Sequence, residues 1–232
     1  MIFETHAHYD DKQFDQDREE LLASMKDNGI GTIVDVGSNM ETSTWIVEAV
    51  TRYPMMYGAV GVHPSDTAEL KESDIDTLKK YAAMDRILAI GEIGLDYYWD
   101  KSFVDLQKEV YVKQILLANK LNLPIVIHDR EAHKDAYDLL LEYNQSSKAL
   151  FHCFSGSVEF MRECVKKGWY IALGGVVTFK NAVKMKDVAR EIPLDKLVLE
   201  TDSPYLTPVP FRGKPNTPAY VRYVAEEIAN LR

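Results

Sequence analysis

Cysteine is nearly missing: Cys153 and Cys164 are the two in 232 residues. Two cysteines build no disulfide framework, which excludes the small stapled secreted folds and points to a reducing, cytoplasmic compartment. No apolar run is long enough to span a bilayer, so no membrane partner is expected. The first residues carry no basic segment leading into an apolar one, so no secretion signal is expected. Positive charge is also short, with 27 Lys and Arg against 36 Asp and Glu and a formal net charge of −9. A chain of that sign does not coat nucleic acid or an anionic membrane, although a local cleft can still hold phosphates. Low-complexity stretches and Gly/Ser linkers are absent, and no shift in composition divides the chain.

What remains is an apolar fraction of 46%, enough for a large core. Short runs rich in Ile, Val, Leu and Ala alternate with segments of helical spacing. The strands are expected at Ile2–His6, Thr32–Val36, Met55–Val62, Ile87–Gly91, Pro124–His128, Ala149–His152, Trp169–Gly174 and Lys196–Glu200, with the composition of parallel strands covered on both faces. Helices are expected at Arg18–Asn28, Thr42–Tyr53, Ser73–Met84, Phe103–Leu121 behind a Ser102 cap, Glu131–Tyr143, Val158–Lys167 behind a Ser157 cap, Val183–Glu191, and Ala219–Leu231 behind Thr217-Pro218. Eight strands each followed by a helix predict an α/β fold, a single (β/α)8 TIM-type barrel over residues 1–232. A doubly wound sheet would place a glycine-rich turn after its first strand. Here that turn is Thr5-His6-Ala7-His8-Tyr9.

The polar residues cluster where such barrels keep their active sites, at the C-terminal ends of the strands. His6 and His8, two apart on a strand, share one face. His63, Glu92, His128, His152 and Asp202 sit at later strand ends. One histidine at a strand end is more often a structural hydrogen-bonding residue than a ligand. Five of the six histidines at equivalent ends, with a glutamate and an aspartate, predict a metal site. Mixed imidazole and carboxylate donors suit zinc, manganese or cobalt, with magnesium preferring oxygen.

Thr5-His6-Ala7-His8, Gly61-Val62-His63-Pro64, Gly91-Glu92-Ile93-Gly94-Leu95-Asp96, Ile127-His128-Asp129-Arg130, His152-Cys153-Phe154-Ser155-Gly156 and Leu199-Glu200-Thr201-Asp202-Ser203-Pro204 follow one another in order. Together they resemble the TatD family of metal-dependent deoxyribonucleases, amidohydrolase-like barrels. The resemblance implies two divalent metal ions per chain. His6, His8 and Asp202 would hold one and His128 and His152 the other, with Glu92 bridging. A carboxylate can join two cations roughly 3.5–4 Å apart and an imidazole nitrogen cannot. Water between the metals would be the nucleophile, Asp202 its proton acceptor, and single-stranded DNA or DNA ends the substrate of an exonuclease-like monomer or weak oligomer. Two other readings stay open: hydrolysis of an amide, ester, lactone or aminoacyl ester at the same site, and a non-catalytic metal-binding protein.

His63 has no metal in this scheme and is a candidate contact to the scissile phosphate or leaving oxygen, with a supporting hydrogen bond as the alternative. Arg130 and Arg212 (with Lys214) are candidate phosphate contacts. Tyr97, followed by Tyr98 and Trp99, is a candidate base contact; capping of the barrel is the plainer role. Glu200 shares a face with Asp202 and is expected to orient a ligand, Cys153 is expected in the core, and His133 on a solvated helix face. Two departures stand out: Glu4 replaces the family's usual aspartate, and the C-terminal end, at Arg232, is short of the family's usual length.

Overall fold

The structure, a computed structural model, describes residues 1–145 and 148–232. Eight strands and eight α-helices alternate among the described residues. They are β1 (Ile2–Ala7), α1 (Arg18–Ser24), β2 (Ile30–Val36), α2 (Met40–Arg52), β3 (Met56–Val60), α3 (Glu72–Ala82), β4 (Ile87–Asp96) and α4 (Val104–Leu121). The second half has β5 (Ile125–Arg130), α5 (His133–Tyr143), β6 (Ala149–Phe151), α6 (Val158–Lys166), β7 (Tyr170–Leu173), α7 (Val183–Glu191), β8 (Leu197–Leu199) and α8 (Val221–Leu231). The strands are parallel and follow one another in the sheet in chain order, the (β/α)8 TIM-type barrel fold expected from the sequence. The chain forms two compact units, residues 1–35 with 153–232, and residues 36–152.

In the first unit β1 pairs with β2 from Ile2↔Ile30 to Ala7↔Asp35. Ile30, Ile33, Ile171, Val221 and Val224 are all fully buried. Beyond β8 the chain runs on beside β1: Asp202 N–H donates to His6 O at 3.0 Å and His8 N–H to Ser203 O at 2.8 Å. Asp202 adopts φ 58°, a left-handed conformation costly for an L-residue and tolerated where surrounding bonds enforce it. Those two backbone bonds supply the enforcement.

In the second unit β4 pairs with β3 and β5, and Ile90, Ile93, Leu95, Ile125, Ile127 and Phe151 are fully buried. β4 runs ten residues, past the expected stop at Gly91. Gly94 makes this possible: its φ is 148°, and a Cβ there would overlap the carbonyl oxygen of His128 on β5.

Several helix starts differ from expectation for local reasons. Asn39, not a later residue, caps α2: its side chain accepts from Thr42 N–H, while Thr42 Oγ1 accepts from Asn39 N–H, both at 3.0 Å. Such a reciprocal cap contributes about 1 kcal/mol. α4 begins after a 3₁₀ turn at Lys101–Phe103, because Ser102 donates both N–H and O–H to Asp100 instead of capping. α5 starts at His133, since Glu131 takes a left-handed φ of 56°. Thr217 precedes a 3₁₀ turn, Pro218–Tyr220, before α8. Ser157 caps α6 as expected, accepting from Phe160 N–H at 3.3 Å.

Gly94→Ala is expected to destabilise the protein by about 2–4 kcal/mol, combining backbone strain with displacement of a neighbouring strand. Chemical denaturation measures it; a loss below about 0.5 kcal/mol would show that β4 and β5 do not depend on this close approach.

Candidate metal-binding centres

Each unit carries its own convergence of metal-ligand types. In the first, His6 Nε2 and His8 Nε2 face each other at 3.2 Å. Asp202 Oδ1 lies 3.4 Å from His8 Nε2 and 3.8 Å from His6 Nε2. Two imidazole nitrogens and one carboxylate oxygen thus converge on one point, His6 fully buried and His8 and Asp202 nearly so. This donor set fits a borderline divalent cation.

Glu4 lies behind this triad and joins it through the backbone. Its Oε1 accepts from His6 N–H at 3.1 Å and from Thr201 N–H at 2.9 Å. One carboxylate therefore grips the chain at His6 and at the residue before Asp202. Burial outweighs these two bonds and pushes its pKa up to about 8. The usual family aspartate is one methylene shorter; here the longer side chain spans from β1 to the segment after β8. Tyr9 N–H donates to buried Asp35 at 2.6 Å, which pins the chain just after His8.

In the second unit Glu92 Oε1 is shared by His128 Nδ1 and His152 Nε2, each at 2.7 Å, and the two nitrogens are 3.4 Å apart. His128 turns its other nitrogen, Nε2, toward Asp96 Oδ2 at 3.1 Å. An imidazole that ligates through Nδ1 and donates from Nε2–H to a carboxylate is the usual way a protein fixes the tautomer of a metal ligand. Burial lowers the pKa of His128, but the bonds to Asp96 and Glu92 overcome this and raise it to about 9. Burial pushes the Asp96 pKa up, but the His128 bond and the Tyr98 and Trp99 amides outweigh it and hold that carboxyl below its ordinary range.

His63 stands at the same cluster, its Nε2 3.7 Å from Glu92 Oε1 and its ring edge-on to His128 with centroids 4.2 Å apart. Its Nδ1 accepts from Ser65 N–H at 3.1 Å. The neutral ring must then carry its proton on Nε2. Burial and the neighbouring His128 push its pKa down to about 3, so it stays neutral and presents a hydrogen-bond donor.

The remaining sequence candidates fall as follows. Arg130 lays its guanidinium over the Tyr98 ring, 3.9 Å from the centroid, and near Trp99 at 5.2 Å. Tyr97 donates its hydroxyl to Asp135 on α5 at 2.8 Å. Arg212 packs over Phe179 and donates to Thr207 O at 2.9 Å. Glu200 accepts from Cys153 N–H at 2.6 Å. Cys153 is half-buried at φ 40°, in the turn after β6 and not in the core. His133 opens α5 and pairs through Nδ1 with Asp129 Oδ2 at 2.7 Å, so it is less solvated than expected. Asp96 is the residue that sequence reasoning passed over. It stands four residues after Glu92 on one strand, a spacing that places both side chains on one face.

Fold and donor sets together define a (β/α)8 hydrolase built to hold divalent cations. Residues 3–232 match the family described as TatD related DNase, and the chain belongs to that family. It is 48% identical over 233 residues to a metal-dependent hydrolase, YabD, of Bacillus subtilis, covering 100% of this chain and 91% of that protein. It is 31% identical over 237 residues to the 3′-5′ ssDNA/RNA exonuclease TatD of Shigella flexneri, covering 100% and 91%. The crystal structure of YJJV, a TatD homologue of Escherichia coli, superposes with a TM-score of 0.94 at 29% identity, covering 100% of this chain and 90% of that one.

Glu4 and His128 both have folded-state pKa values above their ordinary 4.5 and 6.5. Each therefore contributes stability that is complete below its ordinary pKa and lost as pH rises through about 8 and about 9. In chelator, the melting temperature should fall between pH 6.5 and pH 9, and Glu4→Gln should flatten the part of that fall below about pH 8. A chelated wild-type protein with unchanged melting temperature across this range would contradict the assignment.

Proposed function

We propose that the protein is a divalent-metal-dependent phosphodiesterase that removes nucleotides from single-stranded DNA. The observation that carries the reading is the pairing of two cation-type donor sets with a neutral histidine, His63, that offers an N–H donor beside one of them. Membership in the TatD related DNase family supports a nuclease, and the relatives named 3′-5′ ssDNA/RNA exonucleases support attack from the 3′ end. The zinc, manganese, cobalt or magnesium ions would be held by His6, His8 and Asp202, and by Glu92, His128 and His152. The linking role of Glu92 rests on the family resemblance. When bound, the cations supply acidified water and positive charge for the phosphate oxygens.

The chain's own groups divide the remaining work. Asp202 accepts the proton of the attacking water, as a carboxylate in reach of both ligand nitrogens. His63 donates its Nε2–H toward the leaving oxygen and offsets the charge developing there. With a pKa of about 3 it acts as a hydrogen-bond donor and not as a proton donor at neutral pH, and the leaving oxygen takes its proton from water. Asp96 holds His128 with Nδ1 turned to the cation. Arg130 and Arg212 keep guanidinium edges for the phosphate backbone, though their faces are taken by aromatic rings. The cytoplasmic setting is part of the proposal and is supported by a sequence with only two cysteines, too few for a disulfide framework; among the described residues no helix is long and apolar enough to cross a membrane.

The test uses metal-loaded protein and a 5′-labelled single-stranded oligonucleotide. Stepwise shortening from the 3′ end is expected, with His6→Ala and Asp202→Asn inactive yet folded. His63→Ala should lower kcat by about 10²-fold, the usual loss for one oxyanion donor, while metal content is retained. No cleavage above the His6→Ala background with any of the four metals would overturn the proposal.

A further inference from the structure

The second unit contains a hollow of about 150 Å³ that the metal-binding side chains do not use. Its lining includes Pro64, Ser65 and Ala68, in the turn directly after His63, together with Asp96, Trp99, Asp100 and Phe103. Trp99 is 71% exposed, Phe103 46% and the neighbouring Tyr98 49%. Three large aromatic surfaces left in water at one place mark a binding surface more often than chance exposure.

These rings are held in position. Tyr98 and Trp99 meet edge to face with centroids 4.8 Å apart, and Arg130 lies against both. Asp96 Oδ1 accepts from Tyr98 N–H at 2.8 Å and from Trp99 N–H at 3.3 Å, while its Oδ2 faces His128 Nε2. Gln107 locks the backbone of Asp96 from both sides, accepting its N–H at 3.0 Å and donating to its carbonyl at 3.1 Å. The aromatic loop and the ligand His128 thus hang from one carboxylate.

The lining also selects the occupant. It carries two carboxylates and no lysine or arginine, so it repels a phosphate. It offers aromatic faces and acceptors for N–H groups, on a scale that takes one flat heteroaromatic ring. We propose that this hollow is a nucleobase subsite, with Trp99 as its stacking face, that seats a base next to the scissile phosphate. The inference deepens the nuclease reading and rests on it for the identity of the substrate. Stacking of this kind is sequence-tolerant, since every base has a π-face. A single seat of this size admits a base that is unpaired and excludes a base pair.

Two measurements separate this proposal from the nuclease reading. The first needs no catalysis. Of the three tryptophans Trp99 is the exposed one, with Trp169 buried and Trp45 half-buried. In chelator, a deoxynucleoside monophosphate should quench indole fluorescence saturably, deoxyribose phosphate should not, and Trp99→Leu should abolish the response. The second compares KM for an oligonucleotide with that for the same oligonucleotide carrying an abasic residue in either of its last two 3′ positions. Wild type should show KM at least about ten-fold higher for an abasic strand, in the range that one stacked base supplies. Trp99→Ala should bring both to the abasic value with kcat within about two-fold, and Trp99→Phe should restore most of the difference. An unchanged base-to-abasic ratio in Trp99→Ala, or equal quenching by sugar phosphate, overturns the subsite. If wild type cleaves neither strand, the nuclease reading fails and the fluorescence arm alone decides whether the hollow takes a base.

Discussion

A single buried carboxylate–imidazole–carboxylate chain, Glu92–His128–Asp96, is the constraint on which the second unit depends. Ionised groups in a buried setting are costly unless paired. Here every member is paired: Glu92 with His128 and His152, His128 with a carboxylate on each nitrogen, Asp96 with two backbone amides besides. The arrangement fixes which nitrogen of His128 is offered to a cation and, through Asp96, where the exposed aromatic loop stands. Gly94 is the backbone condition for it, because only a residue without Cβ lets β4 lie this close to the carbonyl of His128.

The first unit reaches a comparable end by a different device. Its ligands are ordered mainly through backbone: Asp202 and Ser203 pair with His6 and His8, and Glu4 bonds the amides of His6 and Thr201. The strain of Asp202 in the left-handed region is carried by these bonds. Glu4 is also the chief departure from the family pattern, and its added methylene is accommodated by bonding amides and not a ligand ring.

The fold was legible because eight short apolar strands alternate with capped helices, and strand ends are where a parallel barrel exposes polar residues. The convergence of His6, His8 and Asp202, and of Glu92, His128 and His152, was legible on that ground plus the ordered motifs. The caps at Asn39 and Asp100 were not, since they turn on which of several nearby polar side chains wins the capping contact, and the start of α5 was not, since it turns on the left-handed backbone of Glu131. Asp96 was within reach of period-two reasoning but was hidden by the expected strand end at Gly91. Cys153 was misplaced because a strand was carried one residue too far, past the turn that begins after Phe151. The stacking of Arg130 on Tyr98 and Trp99 joins segments thirty residues apart and leaves no local trace in the sequence.

The proposed function requires a divalent cation held at the donor set of each unit. Metal content by elemental analysis after reconstitution and desalting tests it most directly. About two equivalents per chain are expected in the wild type and about one in each of two double variants, His6→Ala with His8→Ala, and His128→Ala with His152→Ala. Wild-type protein that retains less than about one equivalent, or either double variant that still retains two, would contradict it.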